Sequence, residues 1–108
     1  MSSFTIISNN PRYSSINNQI IVGKSDIENE NYDILVFCVR YIKNVIVPDD
    51  IEIIDSNSFE YCRELQQVSF SKLSKLRIID DYSFYKTSIQ SITIPSSVTH
   101  LGKSCFAE

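Results

Sequence analysis

The 108-residue chain has no tryptophan, only two glycines and a single histidine. With Gly23 and Gly102 as its only glycines, it has no glycine-rich loop that could surround the phosphates of a nucleotide. Its first ten residues include no basic segment, and their apolar stretch is too short for a signal peptide or a membrane span. These absences argue against nucleotide chemistry, and we expect no membrane insertion by this chain.

An excess of positive charge is also missing. The net charge is −3, and the ten lysines and arginines are scattered rather than clustered, so we expect no nucleic-acid partner. Apolar residues make up 43% of the chain, which is enough for one folded domain. Ile, Val, Tyr, Phe and Ser are abundant and strong helix formers are few, which predicts a β-rich protein.

The residues that most often carry chemistry are sparse. Cys38, Cys62 and Cys105 are odd in number and form no CxxC motif, so neither a zinc site nor a disulfide framework is indicated, and we expect buried thiols. His100 lies in a polar segment, where a surface or loop-packing role is expected rather than catalysis. We predict no catalytic residue, no metal site and no cofactor.

Acidic residues occur in two patterns that deserve a catalytic or metal-binding interpretation beside a structural one. The pairs Asp49-Asp50 and Asp80-Asp81 each fall at a predicted turn, where aspartate caps backbone groups. A polar loop at residues 23–33 contains Asp26, Glu28, Glu30 and Asp33. We expect the pairs to cap turns and the loop acids to stay solvated, in preference to an acid–base pair or a metal site.

Two apolar blocks recur in the same order. The first reads IKNVIVP at residues 42–48, LQQVSF at 65–70 and IQSITIP at 89–95, so the copies start 23 and then 24 residues apart. The second contains two apolar residues followed by phenylalanine: Ile51, Ile54 and Phe59; Leu76, Ile79 and Phe84; Val98, Leu101 and Phe106. A period of this length predicts a repeat array with three strands, whose stacked apolar residues share one core.

The last copy, IQSITIPSSVTHLGKSCF at residues 89–106, resembles the BspA-like leucine-rich repeat, L-x-x-I-x-I-P-x-S-V-T-x-I-G-x-x-A-F. Residues 42–62 match less closely and end in Phe-x-x-Cys, which gives Cys62 a structural role. Leu101 in place of Ile and the missing proline of the middle copy are departures that leave the fold intact. The resemblance implies a right-handed, β-rich leucine-rich-repeat solenoid of short strands with turns or short helical segments.

The predicted organisation is a single leucine-rich-repeat domain over residues 1–108. Residues 1–10 form a partial repeat, in which Met1, Phe4 and Ile6 take the apolar register. Residues 11–41 depart from the repeat and are interpreted as an inserted β-hairpin, with strands at 20–22 and 34–39. Repeats follow at 42–64, 65–88 and 89–108, the last of them incomplete. Neither end shows a polar cap, so we expect a fragment of a longer array that tends to associate end to end.

Residues between the inward positions of each strand should point outward and form three columns. These are Lys43, Gln66 and Gln90; Asn44, Gln67 and Ser91; and Ile46, Ser69 and Thr93. Such a polar, almost uncharged face can bind a peptide or a glycan through many modest hydrogen bonds, although solvated strand faces would have the same composition.

The resemblance implies a non-enzymatic module that binds a protein or glycan, within a cell-surface or secreted adhesion protein of the surface-antigen type. The alternative is a structural spacer, in which these repeats extend a longer array and have no ligand site of their own. The sequence leaves both interpretations open, because a fold does not determine a function.

Overall fold

The computed structural model describes residues 12–106, which contain eight short strands and no helix. The strands are β1 (Tyr13–Ile16), β2 (Ile20–Gly23), β3 (Ile34–Cys38), β4 (Asn44–Ile46), β5 (Ile53–Ile54), β6 (Gln67–Ser69), β7 (Ile78–Ile79) and β8 (His100–Leu101). The β-rich prediction is therefore confirmed. The predicted partial repeat at residues 1–10 lies outside the described residues.

Six strands form the larger sheet in the order β1-β2-β3-β5-β7-β8. The first three pair antiparallel, whereas β3, β5, β7 and β8 pair parallel. The turn between β1 and β2 holds Asn17 and Asn18 at φ angles of 54° and 53°. Asparagine is enriched in this left-handed region, which explains how the chain reverses here without glycine.

Residues 12–39 differ in detail from the predicted pair of strands. Strands occur at both predicted places, as β2 and β3, and they pair antiparallel across the loop. The structure adds β1, which lies in the preceding polar stretch and pairs with β2. In addition, β3 continues into the parallel ladder through Ile34 opposite Ile53 and Leu35 opposite Ile54. This segment thus shares its sheet and its core with the repeats that follow.

Each repeat, from its first apolar block to its phenylalanine, forms one row of the stack. The parallel ladder aligns one apolar side chain of β3 with one from each row. Leu35, Ile54 and Ile79 occupy successive positions and are fully buried, while Leu101 at the β8 position is 52% exposed. Fully burying a side chain of this size contributes about 1.5–3 kcal/mol. The sequence analysis placed Leu35 in a strand but predicted no strand at Ile54, Ile79 or Leu101, so the ladder itself was not predicted.

The smaller sheet contains two of the three predicted repeat strands. β4 and β6 pair parallel, with Val45 opposite Val68 and both nearly buried. The prediction of a third strand at residues 89–94 was wrong, because no described backbone hydrogen bond joins that segment to β6. Its isoleucines pack only partly buried against the core. Just before this segment, the Ser88 N–H donates a hydrogen bond to Leu65 O at 3.2 Å.

A phenylalanine stack runs through the three rows on the larger sheet's side of the core. The ring centroids of Phe59 and Phe84 lie 4.8 Å apart, and those of Phe84 and Phe106 lie 5.3 Å apart, with nearly parallel planes. Two residues before each ring, the backbone has a positive φ: 64° at Asn57, 57° at Tyr82 and 52° at Ser104. The same local turn therefore places each ring above the previous one.

The loop acids are not uniformly solvated, which corrects the expectation for Asp33. Its side chain is buried and accepts hydrogen bonds from the Ser25 N–H at 2.8 Å and from the Ser25 hydroxyl. Burial alone would raise the pKa of Asp33, but the hydrogen bonds outweigh burial and hold that pKa below its usual range. Asp33 thus closes the loop onto itself, while Asp26, Glu28 and Glu30 are exposed.

Candidate functional site

The pairing of β4 with β6 aligns the polar columns predicted from the sequence. Asn44 lies opposite Gln67, and Ile46 lies opposite Ser69. Lys43 O accepts hydrogen bonds from the N–H groups of Gln66 at 2.8 Å and Gln67 at 3.2 Å, which brings the first column together as well. In the first two rows, the structure therefore places these side chains beside one another in the order expected.

Apolar residues on the inner face hold these columns rigidly. Ile42 and Leu65 are buried at the start of the two rows, followed by Val45 and Val68 within the strands. Because successive side chains of a strand point to opposite faces, burial of the valines turns Asn44, Gln67 and their neighbours outward. All of the outward-pointing residues in these two rows are exposed except Ser69, which is half-buried.

A groove of about 730 Å³ separates β6 from residues 89–95. One wall comes from Asn44 of the first repeat together with the second repeat strand and the turn after it, and the other comes from the third repeat. Its lining residues are Asn44, Gln66, Gln67, Val68, Ser69, Phe70, Ser71, Lys72, Ser91, Ile92, Thr93 and Pro95. Six of the nine predicted face residues therefore line one groove, with apolar side chains between the polar ones.

Three of the predicted face residues lie outside this groove. Gln90 lines a neighbouring depression together with Ile89, Ser91, Ile92 and Phe106. Lys43 and Ile46 do not line the groove, although both are exposed and Ile46 is 76% exposed. Charge inside the groove is limited to Lys72, so its recognition chemistry consists of amides, hydroxyls and apolar contact.

Of the paired aspartates, Asp80 and Asp81 accept hydrogen bonds from backbone N–H groups, as predicted, whereas Asp49 and Asp50 bond to side chains instead. Asp49 accepts a hydrogen bond from the Ser71 hydroxyl, and Asp50 pairs with Lys75 at 3.0 Å. Asp81 accepts the Lys103 N–H at 2.7 Å. His100 is exposed on β8. Within residues 12–106, no group of three or more His, Cys, Asp or Glu side chains is arranged to hold a metal ion.

One cluster in the structure was missed by the sequence analysis. Cys38 and Cys62 are fully buried, and their side chains are close enough for each to shift the pKa of the other, upward at Cys38 and downward at Cys62. The Arg40 guanidinium approaches the same sulfur at 3.6 Å. The two cysteines are 24 residues apart, about one repeat, which would have placed them in adjacent rows. Assigning Cys38 to an insertion removed that signal.

Strand pairing, the stacked apolar columns and the repeated turn all have the period of the sequence blocks. A profile of the BspA type leucine rich repeat region (6 copies) matches residues 2–108. The chain belongs to the BspA-type leucine-rich-repeat family. The resemblance inferred from residues 42–106 is thereby confirmed, and the match extends through residues 11–41, which the sequence analysis had set apart. No curated protein sequence matches this BspA-type chain.

Solved structures similar to this BspA-type chain include two surface or antigenic proteins. A leucine-rich cell surface protein from Faecalibacterium prausnitzii A2-165 is 26% identical, with a TM-score of 0.56 over 60% of the chain. The pneumococcal vaccine antigen PcpA is 28% identical, with a TM-score of 0.59 over 61% of the chain. The chain is thus a leucine-rich-repeat module resembling cell-surface leucine-rich proteins.

A leucine-rich-repeat protein from Eubacterium ventriosum ATCC 27560 matches 89% of the chain with a TM-score of 0.72. At 21% identity this likeness shows the fold alone. The chain spans 17%, 16% and 24% of the lengths of the three solved proteins, in the order given. Across residues 12–106, no helix has the length and hydropathy needed to cross a membrane.

Proposed function

We propose that this chain is a non-enzymatic binding module whose ligand, a protein or a glycan, occupies the groove between β6 and residues 89–95. The observation that carries the proposal is the alignment of Asn44, Gln66, Gln67 and Ser69 along one groove wall, opposite Ser91 and Thr93. A packed apolar layer fixes the strands that carry these residues, so on binding only the exposed side chains have to be ordered. The outlying residues Lys43, Ile46 and Gln90 extend the proposed face.

The chemistry of the groove suits a ligand rich in neutral hydrogen-bonding groups. Each amide or hydroxyl contact contributes about 1 kcal/mol net, so affinity requires several of them together. Half-buried Phe70 and Ile92 add apolar contact between the polar walls. A net charge of −3 without a basic stripe supports a ligand other than nucleic acid.

The repeats are proposed to form a right-handed solenoid that presents this face within a surface or secreted adhesion protein. Parallel ladders with matching register on two sides of the core support that architecture. The location is supported by two similar structures that are described as a cell surface protein and a vaccine antigen. The boundaries at 42–64, 65–88 and 89–108, and the insertion at 11–41, are part of the same proposal.

Replacing Gln66, Gln67 and Gln90 together with alanine is expected to abolish ligand capture. The change removes three amide side chains from the proposed face and leaves every buried residue in place. Losing three hydrogen bonds of about 1 kcal/mol each corresponds to a loss of affinity of about a hundredfold. The wild-type chain is first screened against a glycan array and purified extracellular-matrix proteins, and each hit is measured again with the variant by biolayer interferometry.

A matched control replaces Ser56, Glu64 and Lys103 with alanine. These residues are exposed and line none of the groove, so capture should persist. Equal loss in both variants, or unchanged capture by the glutamine variant, would contradict the proposed face. A wild-type chain that captures nothing in either screen would favour the structural spacer instead.

End-to-end self-association is proposed through the apolar surface beyond β8. Leu101 is 52% exposed and Phe106 is 37% exposed, while Ile89 and Ile92 are only half-buried beside Phe106. No described residue covers this face. A second copy stacked there would extend the parallel ladder from β8 as each row extends the last, forming a head-to-tail contact.

Replacing Leu101 with glutamate is expected to weaken this association about tenfold or more, because a charge would be desolvated where an apolar side chain was covered. Sedimentation velocity over a concentration series measures the effect. Leu73→Glu is the matched control, since Leu73 is 75% exposed in a turn remote from this face. A wild-type chain that stays monomeric at the highest concentration reached would refute the association.

A further inference from the structure

The buried thiols of Cys38 and Cys62 join β3 to the end of the first repeat. Cys38 is the last residue of β3, and its N–H bonds Ser58 O at 3.1 Å. The Cys62 thiol donates a hydrogen bond to Val39 O at 3.7 Å, and its side chain is close enough to Cys38 for each thiol to shift the pKa of the other. Both side chains are fully buried, so the pair is held in place by the packing around it.

A cation is positioned beside this pair. Arg40 donates to Cys38 O at 2.7 Å, to Ser58 O at 3.5 Å and to the Cys62 sulfur at 3.6 Å. Its guanidinium also lies 4.4 Å from the centre of the Phe37 ring. The half-buried Arg40 side chain is thereby anchored by two carbonyl oxygens, one sulfur and one aromatic ring.

The environment divides the roles of the two sulfurs. The side-chain hydrogen bond with Cys38 lowers the pKa of Cys62, with burial opposing and the charge of Arg40 assisting this effect. The same hydrogen bond, together with burial, raises the pKa of Cys38. Because the Arg40 guanidinium lies 3.6 Å from the Cys62 sulfur, we assign Cys62 as the first nucleophile and Cys38 as the second.

We propose that Cys38 and Cys62 are an oxidation site, at which a low-molecular-weight disulfide converts the adjacent thiols into a disulfide bond between β3 and the first repeat. The structural value of such a bond is local. β3 meets β5 through only two residue pairs, and a covalent link would reinforce this short ladder. A cell-surface location would supply an oxidising environment, although the reaction itself does not depend on the proposed ligand groove.

The reaction balances as two successive exchanges. Cys62 releases its proton, and its thiolate attacks one sulfur of the oxidant, whose S–S bond breaks and whose leaving thiolate is protonated. Cys38 then releases its proton and attacks the Cys62 sulfur of the mixed disulfide, displacing a second thiolate that is protonated in turn. The protein loses two electrons and two protons, and the oxidant is reduced to two thiols.

The third cysteine offers an internal control. Cys105 is also buried, at 5% exposed, but it lies in the last row beside Phe106. Burial raises the pKa of Cys105, and the charge of Asp81 adds to that effect. No described cysteine adjoins it as Cys38 adjoins Cys62. Cys105 should therefore remain a thiol under conditions that oxidise the pair.

The test exposes the reduced, full-length chain to oxidised glutathione and follows intact mass and peptide maps. The wild type and Cys105→Ser are expected to lose two hydrogens without retaining glutathione, and digestion should yield the Cys38 and Cys62 peptides linked together. Cys38→Ala and Cys62→Ala should form no internal link. Closing the loop should also raise the midpoint of thermal unfolding of the wild type and Cys105→Ser by roughly 10 °C.

The wild-type peptide map decides the matter even where an alanine variant fails to fold. A chain that keeps all its hydrogens, or a link that includes Cys105, would overturn the proposal. Oxidation in guanidinium is the reference for random pairing, and the native chain must exceed it in Cys38–Cys62 linkage.

Arg40 is tested as a positioning residue through the pH dependence of the oxidation rate. Arg40→Gln removes the charge and should move the rate profile to higher pH, because less Cys62 is then ionised at a given pH. Arg40→Lys keeps the charge and should move it less. A change in rate with no movement along the pH axis would show that Arg40 only packs against the pair.

Discussion

Replacing Phe84 with alanine is expected to lower the free energy of unfolding by about 3–5 kcal/mol. The ring is 1% exposed and is stacked on both faces, 4.8 Å from Phe59 and 5.3 Å from Phe106. Removing it leaves a cavity between two rigid rows, which relax little because backbone bonds such as Phe84 N–H to Cys105 O at 2.8 Å hold them. Urea unfolding followed by far-UV circular dichroism measures the change.

Phe106→Ala is the matched control for position in the stack. Phe106 contacts Phe84 on one face and is 37% exposed, so its loss should cost about half as much. Equal costs at the two positions would show that the stack does not act as an internal column. A cost below about 1 kcal/mol at Phe84 would contradict the packing itself.

The repeated apolar blocks predicted the inner residues well. Val45, Val68, Phe59 and Phe84 were all assigned inward from spacing alone, and all are buried. The reason is that the order of apolar residues within each block identifies the equivalent positions. A spacing of about one repeat then stacks these positions on one another. Outward-pointing Asn44 and Gln67 followed from the same alternation, and the strand pairing places them side by side.

The two-residue strands could not be predicted from alternation of apolar residues. Ile53–Ile54 and Ile78–Ile79 are too short to show an alternating pattern, and their pairing arises only when rows stack. Two adjacent isoleucines are compatible both with a turn and with a short strand that pairs with its neighbours. Strand β1 was missed for a related reason, since Ser14 and Ser15 give it little apolar character.

The groove also depends on a contact between distant residues. Local alternation at residues 89–94 predicted a strand, and Ile92 does face the core. The connection before that segment is one residue shorter between Phe84 and Ile89 than between Phe59 and Leu65, and local alternation does not register such a change. The segment diverges after Ser88, and the predicted third strand becomes one wall of the candidate site.

Gly102→Ala is expected to cost about 3 kcal/mol of stability, the upper part of the range for inserting atoms into a packed site. A Cβ at this position would lie 2.4 Å from Asp81 N and 2.5 Å from Asp80 C. These are backbone atoms of the preceding row, fixed by the bond from Gly102 N–H to Ile79 O at 2.7 Å. Backbone conformation is not the cause, because Gly102 has no positive φ.

Gly23→Ala is the control for Gly102→Ala. It distinguishes a steric clash with backbone atoms from the general effect of replacing a glycine. A Cβ at Gly23 would lie 2.9 Å from ring atoms of the Tyr13 side chain, which is 41% exposed, whereas a Cβ at Gly102 would meet backbone atoms. Replacing glycine also reduces the entropy of the unfolded chain, which offsets part of any strain by about 0.4–1 kcal/mol in both variants. Thermal and urea unfolding should therefore show a loss within about 1 kcal/mol at Gly23 and the large loss at Gly102. Similar losses of stability at both positions would contradict the close approach of Gly102 to the backbone of Asp81.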